Sequence, residues 1–219
     1  MVEIIYKDTH ILVVNKPAPL AVIPGGWNKK EPNLKEMLEK QFGGKKLWTV
    51  HRLDKGTTGV MVFARTPEAH RHLNTQFERH EVEKVYHAVV EGEPEWDQYL
   101  AQHALHANVG RQHRTVSDRV RGKPSQTDLR VMQRFFDHAL LEARPKTGRT
   151  HQVRVHCAEM GHPLVGDTLY GAEPNPNFAR PALHAQSLSF MHPIDDQKVS
   201  FSAPHPADLA ELIDLLEAS

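Results

Sequence analysis

The 219-residue chain holds one cysteine, Cys157, so no disulfide can form within it. That points to a reducing compartment and to a thiol that serves core packing. No stretch approaches the roughly 18 consecutive apolar residues of a membrane helix, which predicts no membrane partner. The first residues, Met1-Val2-Glu3-Ile4-Ile5-Tyr6-Lys7, lack the basic start, apolar centre and small-residue cleavage site of a secretory signal, and so predict a cytoplasmic location. Net charge is missing too: 27 Lys and Arg balance 27 Asp and Glu, so the chain as a whole carries no electrostatic signature of a nucleic-acid binder. There is no internal repeat and no low-complexity tract. Sixteen histidines invite a metal hypothesis, with His103 and His106 or His151 and His156 as ligands. None has a recognised spacing such as H-E-x-x-H, and the expectation is no metal.

What is present is ordinary for a globular protein: 39% apolar and 25% charged residues, in a length that suits one domain over 1–219, expected to be a monomer. The charge is unevenly placed. Between Arg111 and Arg134, Arg111, Arg114, Arg119, Arg121, Lys123, Arg130 and Arg134 face only Asp118 and Asp128, while the tail from Asp208 to Glu217 is acidic. Arg144 to Arg154 adds four basic residues and no acidic one. Such segments suit a phosphate-attracting face, or equally a solvated one.

Apolar runs at Glu3–Tyr6 and His10–Asn15 predict a hairpin. A loop over Pro24–Pro32 precedes Asn33 and Glu36, whose capping-box spacing opens a helix that ends near Gly43-Gly44. Gly59–Ala64 reads as a buried strand, Thr66 with Pro67 as the start of a helix to about His80, and Lys84–Glu91 as a strand. Gly92–Gly122 shows little periodicity and is assigned loops and short strands. Gln126–Arg134 and His138–Ala143 predict a strand pair, His151 begins a helix that Gly161 closes, and Leu183–Phe190 and Val199–Phe201 supply the last strands. A C-terminal helix is capped by Asp208, with Glu211 three residues on. Strands joined by short turns outnumber helices, which predicts an α+β fold with a mixed, largely antiparallel sheet flanked by helices.

Three segments could carry chemistry. Val50-His51-Arg52-Leu53-Asp54-Lys55-Gly56-Thr57-Thr58-Gly59 sets an acid and a base in a glycine-rich turn that feeds a buried strand, where catalytic groups tend to sit. Asp54 before a glycine is also a common turn former. In Arg144 to His156, a turn at Thr147-Gly148 opens a helix on which Arg149, Gln152, Val153 and His156 share one face while Arg154 points elsewhere. That mixture suits a cleft, or else a helix cap facing solvent. Along Lys84-Val85-Tyr86-His87-Ala88, Tyr86 and Ala88 share a strand face.

His51-Arg52-Leu53-Asp54-Lys55-Gly56-Thr57-Thr58-Gly59 resembles the signature of the RluA-type pseudouridine synthases, H-R-L-D, two variable residues, T-S-G. Glu83 to Ala88 is similar to that family's lysine-and-tyrosine strand. Pro145 to His156 with Gly161-His162-Pro163-Leu164-Val165-Gly166-Asp167 is similar to its third motif, and Val13-Val14-Asn15-Lys16-Pro17 to its opening strand. The motifs follow the family's order from residue 2 to about 203.

The resemblance implies a pseudouridine synthase fold with a long RNA-binding cleft and an isomerase that turns chosen uridines of ribosomal or transfer RNA into pseudouridine. It implies Asp54 as catalytic carboxylate, Tyr86 as the ring that packs on the base, and Arg149 as the cation paired with Asp54. Val153 would line the pocket. Arg52 would enter the RNA stack where the flipped uridine has left, with His51 grouped beside it as an RNA contact. Arg111, Arg114, Arg119, Arg121 and Arg154 are candidate phosphate contacts. Thr58 departs from the family's serine but keeps the hydroxyl. No cofactor is expected, because isomerisation needs no redox partner or transferred group. Many relatives carry an extra N-terminal RNA-binding domain; here the catalytic fold begins at about residue 2, so target choice would rest on Arg111–Arg134 and the Pro24–Pro32 loop. A non-catalytic RNA-binding module is the rival from another class. It predicts a missing aspartate, tyrosine or arginine, and all three are present.

Overall fold

The computed structural model describes residues 1–24 and 31–218; most of the Pro24–Pro32 loop, and with it that loop's expected part in target choice, lies outside the described residues. The chain forms two compact units, Met1–Lys84 with Ala185–Pro204 and Val85–His184 with His205–Ser219.

In the first unit, β1 (Glu3–Lys7) and β2 (Ile11–Lys16) form the expected hairpin. Its turn is tied by Asp8 Oδ1, which accepts the His10 and Ile11 N–H groups at 2.6 and 2.7 Å. Helix α1 (Leu34–Gln41) starts where Asn33 predicts, the Asn33 side chain accepting the Glu36 N–H. Then β3 (Trp48–Thr49) and β4 (Thr58–Ala64) pair antiparallel, and every residue of β4 is buried. Helix α2 (Pro67–Glu78) begins at Thr66, whose hydroxyl accepts the Ala69 N–H, and stops two residues short of His80. The strand order is β1-β2-β4-β10, with β10 (Leu183–Met191) also pairing β11 (Lys198–Ser202). The core joins the inner face of β2 and β4, at Ile11, Val13, Val60 and Val62, to Leu73 of α2 and Phe190 of β10. Period-two alternation on strands and three-to-four spacing on the helix put these residues on facing surfaces.

The second unit is ordered β5-β9-β8-β6-β7, each neighbouring pair antiparallel: β5 (Glu83–Glu91), β9 (His138–Pro145), β8 (Lys123–Phe135), β6 (Gln98–Val109) and β7 (Arg114–Ser117). Helix α3 (Gln152–Glu159) packs on this sheet through Val153 and Cys157 against Leu129, Leu141 and Ala143. Helix α4 (Ala207–Glu217) buries Leu209, Leu212 and Ile213 against Val89, Leu140 and Phe178. Cys157 is fully buried, and burial beside Asp167 pushes its thiol up to about 12, so it serves as core.

Two expectations need correction. Gly92–Gly122 is not a run of loops and short strands: it contains the twelve-residue β6. Only Ala101 and Leu105 are buried there, and apolar residues such as Tyr99, Leu100 and Ala104 fall on both faces among polar ones, so alternation is weak. Asp208 does not cap α4. Pro206 holds that position, and the Asp208 carboxylate is taken by Arg180, whose Nε and Nη2 donate to it at 2.7 and 2.8 Å.

Candidate active site

In the first unit, Val50 to Thr57 forms a loop between β3 and β4, two strands that pair with each other. Four attachments hold it. His51 Nε2 accepts the Val62 N–H at 3.1 Å, and the imidazole stacks on Phe77 with 4.6 Å between centroids. Burial, helped by the Lys84 charge, pushes His51 down to about 3, which keeps the ring a neutral acceptor. Leu53 is buried, and the Asp54 carbonyl accepts the Thr57 N–H at 3.1 Å to close the turn. The Lys55 carbonyl receives the Leu20 N–H at 3.0 Å and Lys16 Nζ at 3.3 Å.

Lys16 is fully buried at the end of β2, its ammonium also donating to the carbonyls of Pro17 and Leu20 at 2.9 and 2.7 Å. A buried ammonium is costly unless its donors are satisfied, and here main-chain oxygens satisfy them. Gly59 ends the loop at φ +111, where an added Cβ would lie 2.2 Å from the Ala185 carbonyl oxygen. Only glycine fits. The outcome is a fixed turn with Arg52 exposed and Asp54 half-buried. His51, grouped with the RNA contacts in the sequence, has its ring committed inward.

In the second unit, Tyr86 of β5 is half-buried beside Ala143 of β9 and packs on the same apolar cluster as Val153. The fold therefore brings these two expected pocket residues together. His87 faces the other side and bonds His205, 2.7 Å between ring nitrogens.

Arg149 precedes α3 and is half-buried, its Nε donating to the Pro124 carbonyl at 3.1 Å. Its main chain is held by Gln152. The buried Gln152 Oε1 accepts the Thr147 hydroxyl at 2.7 Å and the Arg149 N–H at 3.0 Å, while Nε2 donates to the Gln126 carbonyl and to Thr127 Oγ1, both at 2.9 Å. Both acceptor sites and both donors of this amide are used. The chain of bonds continues with a consistent direction. Ser125 donates to the His103 carbonyl, so His156 Nε2–H donates to Ser125 Oγ and Nδ1 accepts the Thr127 hydroxyl. Burial pushes His156 down to about 4, in keeping with that neutral tautomer.

The Gln152 and His156 side chains of the α3 face are thus buried against the sheet instead of lining a cleft. Polar residues settle there because each polar atom finds a partner. Gln152 and Lys16, which position the two loops, were not singled out in the sequence as positioning groups. Five-residue spacing from Thr147 is the signal that could have marked Gln152, whereas no local signal marks Lys16.

Of the candidate phosphate contacts, Arg111, Arg114, Arg119 and Arg121 are exposed in and after the β6–β7 hairpin. The Asp118 carboxylate accepts the N–H groups of Val120 and Arg121 at 2.9 Å each, which shapes the turn that carries Arg119 and Arg121. Arg154 is different. It is buried, with Nε and Nη2 on the two Asp167 oxygens at 2.6 and 2.7 Å and its guanidinium over the Tyr170 ring, the geometry of an internal brace. Of the histidines offered as ligand pairs, His103 meets His156 edge to face, His106 lies 3.4 Å from Asp118, and His151 Nδ1 lies 2.8 Å from the Tyr170 hydroxyl.

A carboxyl group in a fixed turn of the first unit, and in the second an aromatic ring beside an apolar wall, are residue types that chemistry on a base can use. The family described as RNA pseudouridylate synthase matches residues 10–159 of this chain. Ribosomal large subunit pseudouridine synthase D of Zymomonas mobilis is 37% identical to it over 99% of this chain and 73% of that protein. The structure of human RNA pseudouridylate synthase domain containing 1 is 28% identical, with a TM-score of 0.77 over 100% of this chain and 96% of that one. Human RNA pseudouridylate synthase domain containing 4 reaches a TM-score of 0.81 at 23% identity, over 98% and 93%, and bears on the fold alone. The chain belongs to the RNA pseudouridylate synthase family, as its RluA-type motifs imply. It has the α+β pseudouridine synthase fold and is an RNA pseudouridine synthase, an isomerase.

Proposed function

We propose that the chain isomerises uridines of structured ribosomal RNA, with residues 1–219 acting as one catalytic domain and Asp54 as the reacting carboxylate. The observation that carries the assignment is the turn itself: Lys16, His51 and Gly59 fix the loop that holds Asp54, while Arg52 is left exposed beside it. The Zymomonas mobilis relative is named a pseudouridine synthase of the ribosomal large subunit, which supports ribosomal RNA as the substrate. The reaction breaks the bond from ring nitrogen 1 to the anomeric carbon, rotates the base and joins ring carbon 5 to that carbon. The carbon 5 proton leaves, nitrogen 1 takes one up, and no electrons are exchanged.

An ionised carboxylate can add to, or shelter, the electron-poor centre while the bond is open. Arg149, its main chain held by Gln152, is the cation assigned to that carboxylate. Tyr86 holds the detached base by stacking, worth about 1–3 kcal/mol per base, with Val153 as its apolar neighbour. Target atoms are inaccessible inside a stacked helix, so the nucleotide must turn out, and the planar guanidinium of Arg52 fills the gap. Arg111, Arg114, Arg119 and Arg121 hold the backbone.

The decisive variant is Asp54→Asn, which nearly preserves shape and removes the charge. Tritium release from RNA labelled at uridine carbon 5 should vanish even in single-turnover assays, while thermal unfolding stays near wild type and RNA affinity is equal or slightly higher. Robust release by pure Asp54→Asn protein would remove Asp54 from the chemistry.

A further inference from the structure

At the far end of β4 from Asp54, the first unit has a groove of about 620 Å³ between the β1–β2 hairpin, the segment after α1 and the start of α2. Four cations line it, Lys7, Lys45, Lys46 and Arg65, against one acid, Asp8. Asp8 does not neutralise them. Its Oδ1 is taken by two N–H groups of its own turn, and its Oδ2 meets His192 Nε2 at 2.9 Å and the Tyr6 hydroxyl at 3.3 Å. Among the described residues, Lys45 and Arg65 have no ion-pair partner.

The groove is also shaped in advance. The Leu47 N–H donates to Glu39 at 2.8 Å and Leu47 itself is buried, which pins the segment bearing Lys45 and Lys46. Two ammonium groups rest on rings, Lys7 over Phe42 at 5.3 Å and Lys46 over Trp48 at 5.0 Å. Thr66, the N-cap of the twelve-residue α2, lines the same groove and brings the positive end of that helix to it. Held like charges repel one another. A polyanion placed among them removes that repulsion and releases its own counterions.

We propose that this groove is a second backbone-binding site, which grips phosphates of the RNA substrate remote from the target uridine. The proposal rests on the reading that this chain acts on RNA, and adds a place where the RNA is held. The seven residues of β4 rise about 20 Å at ~3.3 Å each, so the groove meets phosphates roughly six stacked nucleotides from the turn of Asp54. Lysines at such a distance read no base; they reward a long, correctly shaped RNA over a short one.

The test compares Lys45→Gln/Lys46→Gln/Arg65→Gln with wild type on two probes: an unmodified transcript of large-subunit ribosomal RNA, and a stem-loop of about five base pairs carrying the same target uridine. On the transcript, affinity should fall at least about tenfold, and the slope of log affinity against log salt should flatten by about two to three units. Affinity and turnover on the stem-loop should not change. Lys45→Glu/Lys46→Glu, both exposed, should deepen the loss if Arg65→Gln disturbs folding. Unchanged affinity and slope on the transcript would overturn the proposal and leave the groove to some other anion. Equal loss on both probes would overturn it too, because the effect would then not be remote. Wild-type protein that binds both RNAs but forms no pseudouridine would sink the functional reading alone, since the groove is read by equilibrium binding.

Discussion

The loop around Asp54 is fixed by main-chain oxygens, one buried ammonium and a glycine, whereas the loop before α3 is fixed by the side chain of Gln152. In the first unit Lys16 donates to the carbonyls of Pro17, Leu20 and Lys55, and the constraint added at the end of the loop is steric, since the Gly59 backbone lies against Ala185. The second unit uses polar satisfaction, since Gln152, Thr127, His156 and Ser125 relay one directional set of bonds from the Arg149 main chain into β8. The two devices should fail differently. Overpacking breaks a steric constraint at once, while an incomplete polar network loses rigidity and strands buried groups.

Gly59→Ala should have the largest effect. The new Cβ meets a main-chain oxygen that cannot swing aside, at a φ that alanine rarely adopts. Overpacking and backbone strain together should cost about 3 kcal/mol or more, read by urea or thermal unfolding. If Gly59→Ala unfolds like wild type, the turn is not held by close approach, and the contrast with the second unit disappears.

Gln152→Leu comes next. It keeps bulk but leaves the Thr147 hydroxyl, the Arg149 N–H and the Gln126 carbonyl without this partner, for a loss of about 2–3 kcal/mol. Because Gln152 acts through Arg149, turnover should also fall at least about tenfold, or 1.36 kcal/mol of barrier, with RNA affinity unchanged. A loss of stability with turnover intact would make Gln152 a packing residue only.

The same contrast sets what could be read from the sequence. Caps at Asn33 and Thr66, the β1–β2 hairpin and buried β4 were legible because local spacing alone decides them. Glycine at 59 was visible as part of a motif, but its reason was not: the oxygen it must avoid belongs to Ala185, 126 positions on. Similarly, β6 was hidden because apolar and polar side chains are mixed on both of its faces, and Asp208 was misread because its partner, Arg180, lies 28 positions away. The α3 face looked suited to a cleft because residue type reports polarity and not whether a partner waits inside. Lys16 shows the same limit: nothing local says that a lysine before a proline will be fully buried.

The smallest expected effect falls at Thr58, where the chain departs from the serine of the family signature. Thr58 opens β4 and is 3% exposed, so its methyl is buried along with its hydroxyl. Thr58→Ser deletes only the methyl, about 0.8 kcal/mol of transfer plus whatever cavity fails to collapse, and should cost about 1 kcal/mol in unfolding with turnover unaltered. Thr58→Val is the complementary change: it retains the shape and removes a buried hydroxyl, so it should cost about 1–3 kcal/mol if that hydroxyl is bonded in the wild type. If steric fit rules this end of the loop, as it does one residue later at Gly59, both proteins should keep Asp54 competent and differ only in stability. Lost turnover in Thr58→Val alone would instead show that a side-chain hydrogen bond helps set the Asp54 turn, which brings the first unit closer to the second.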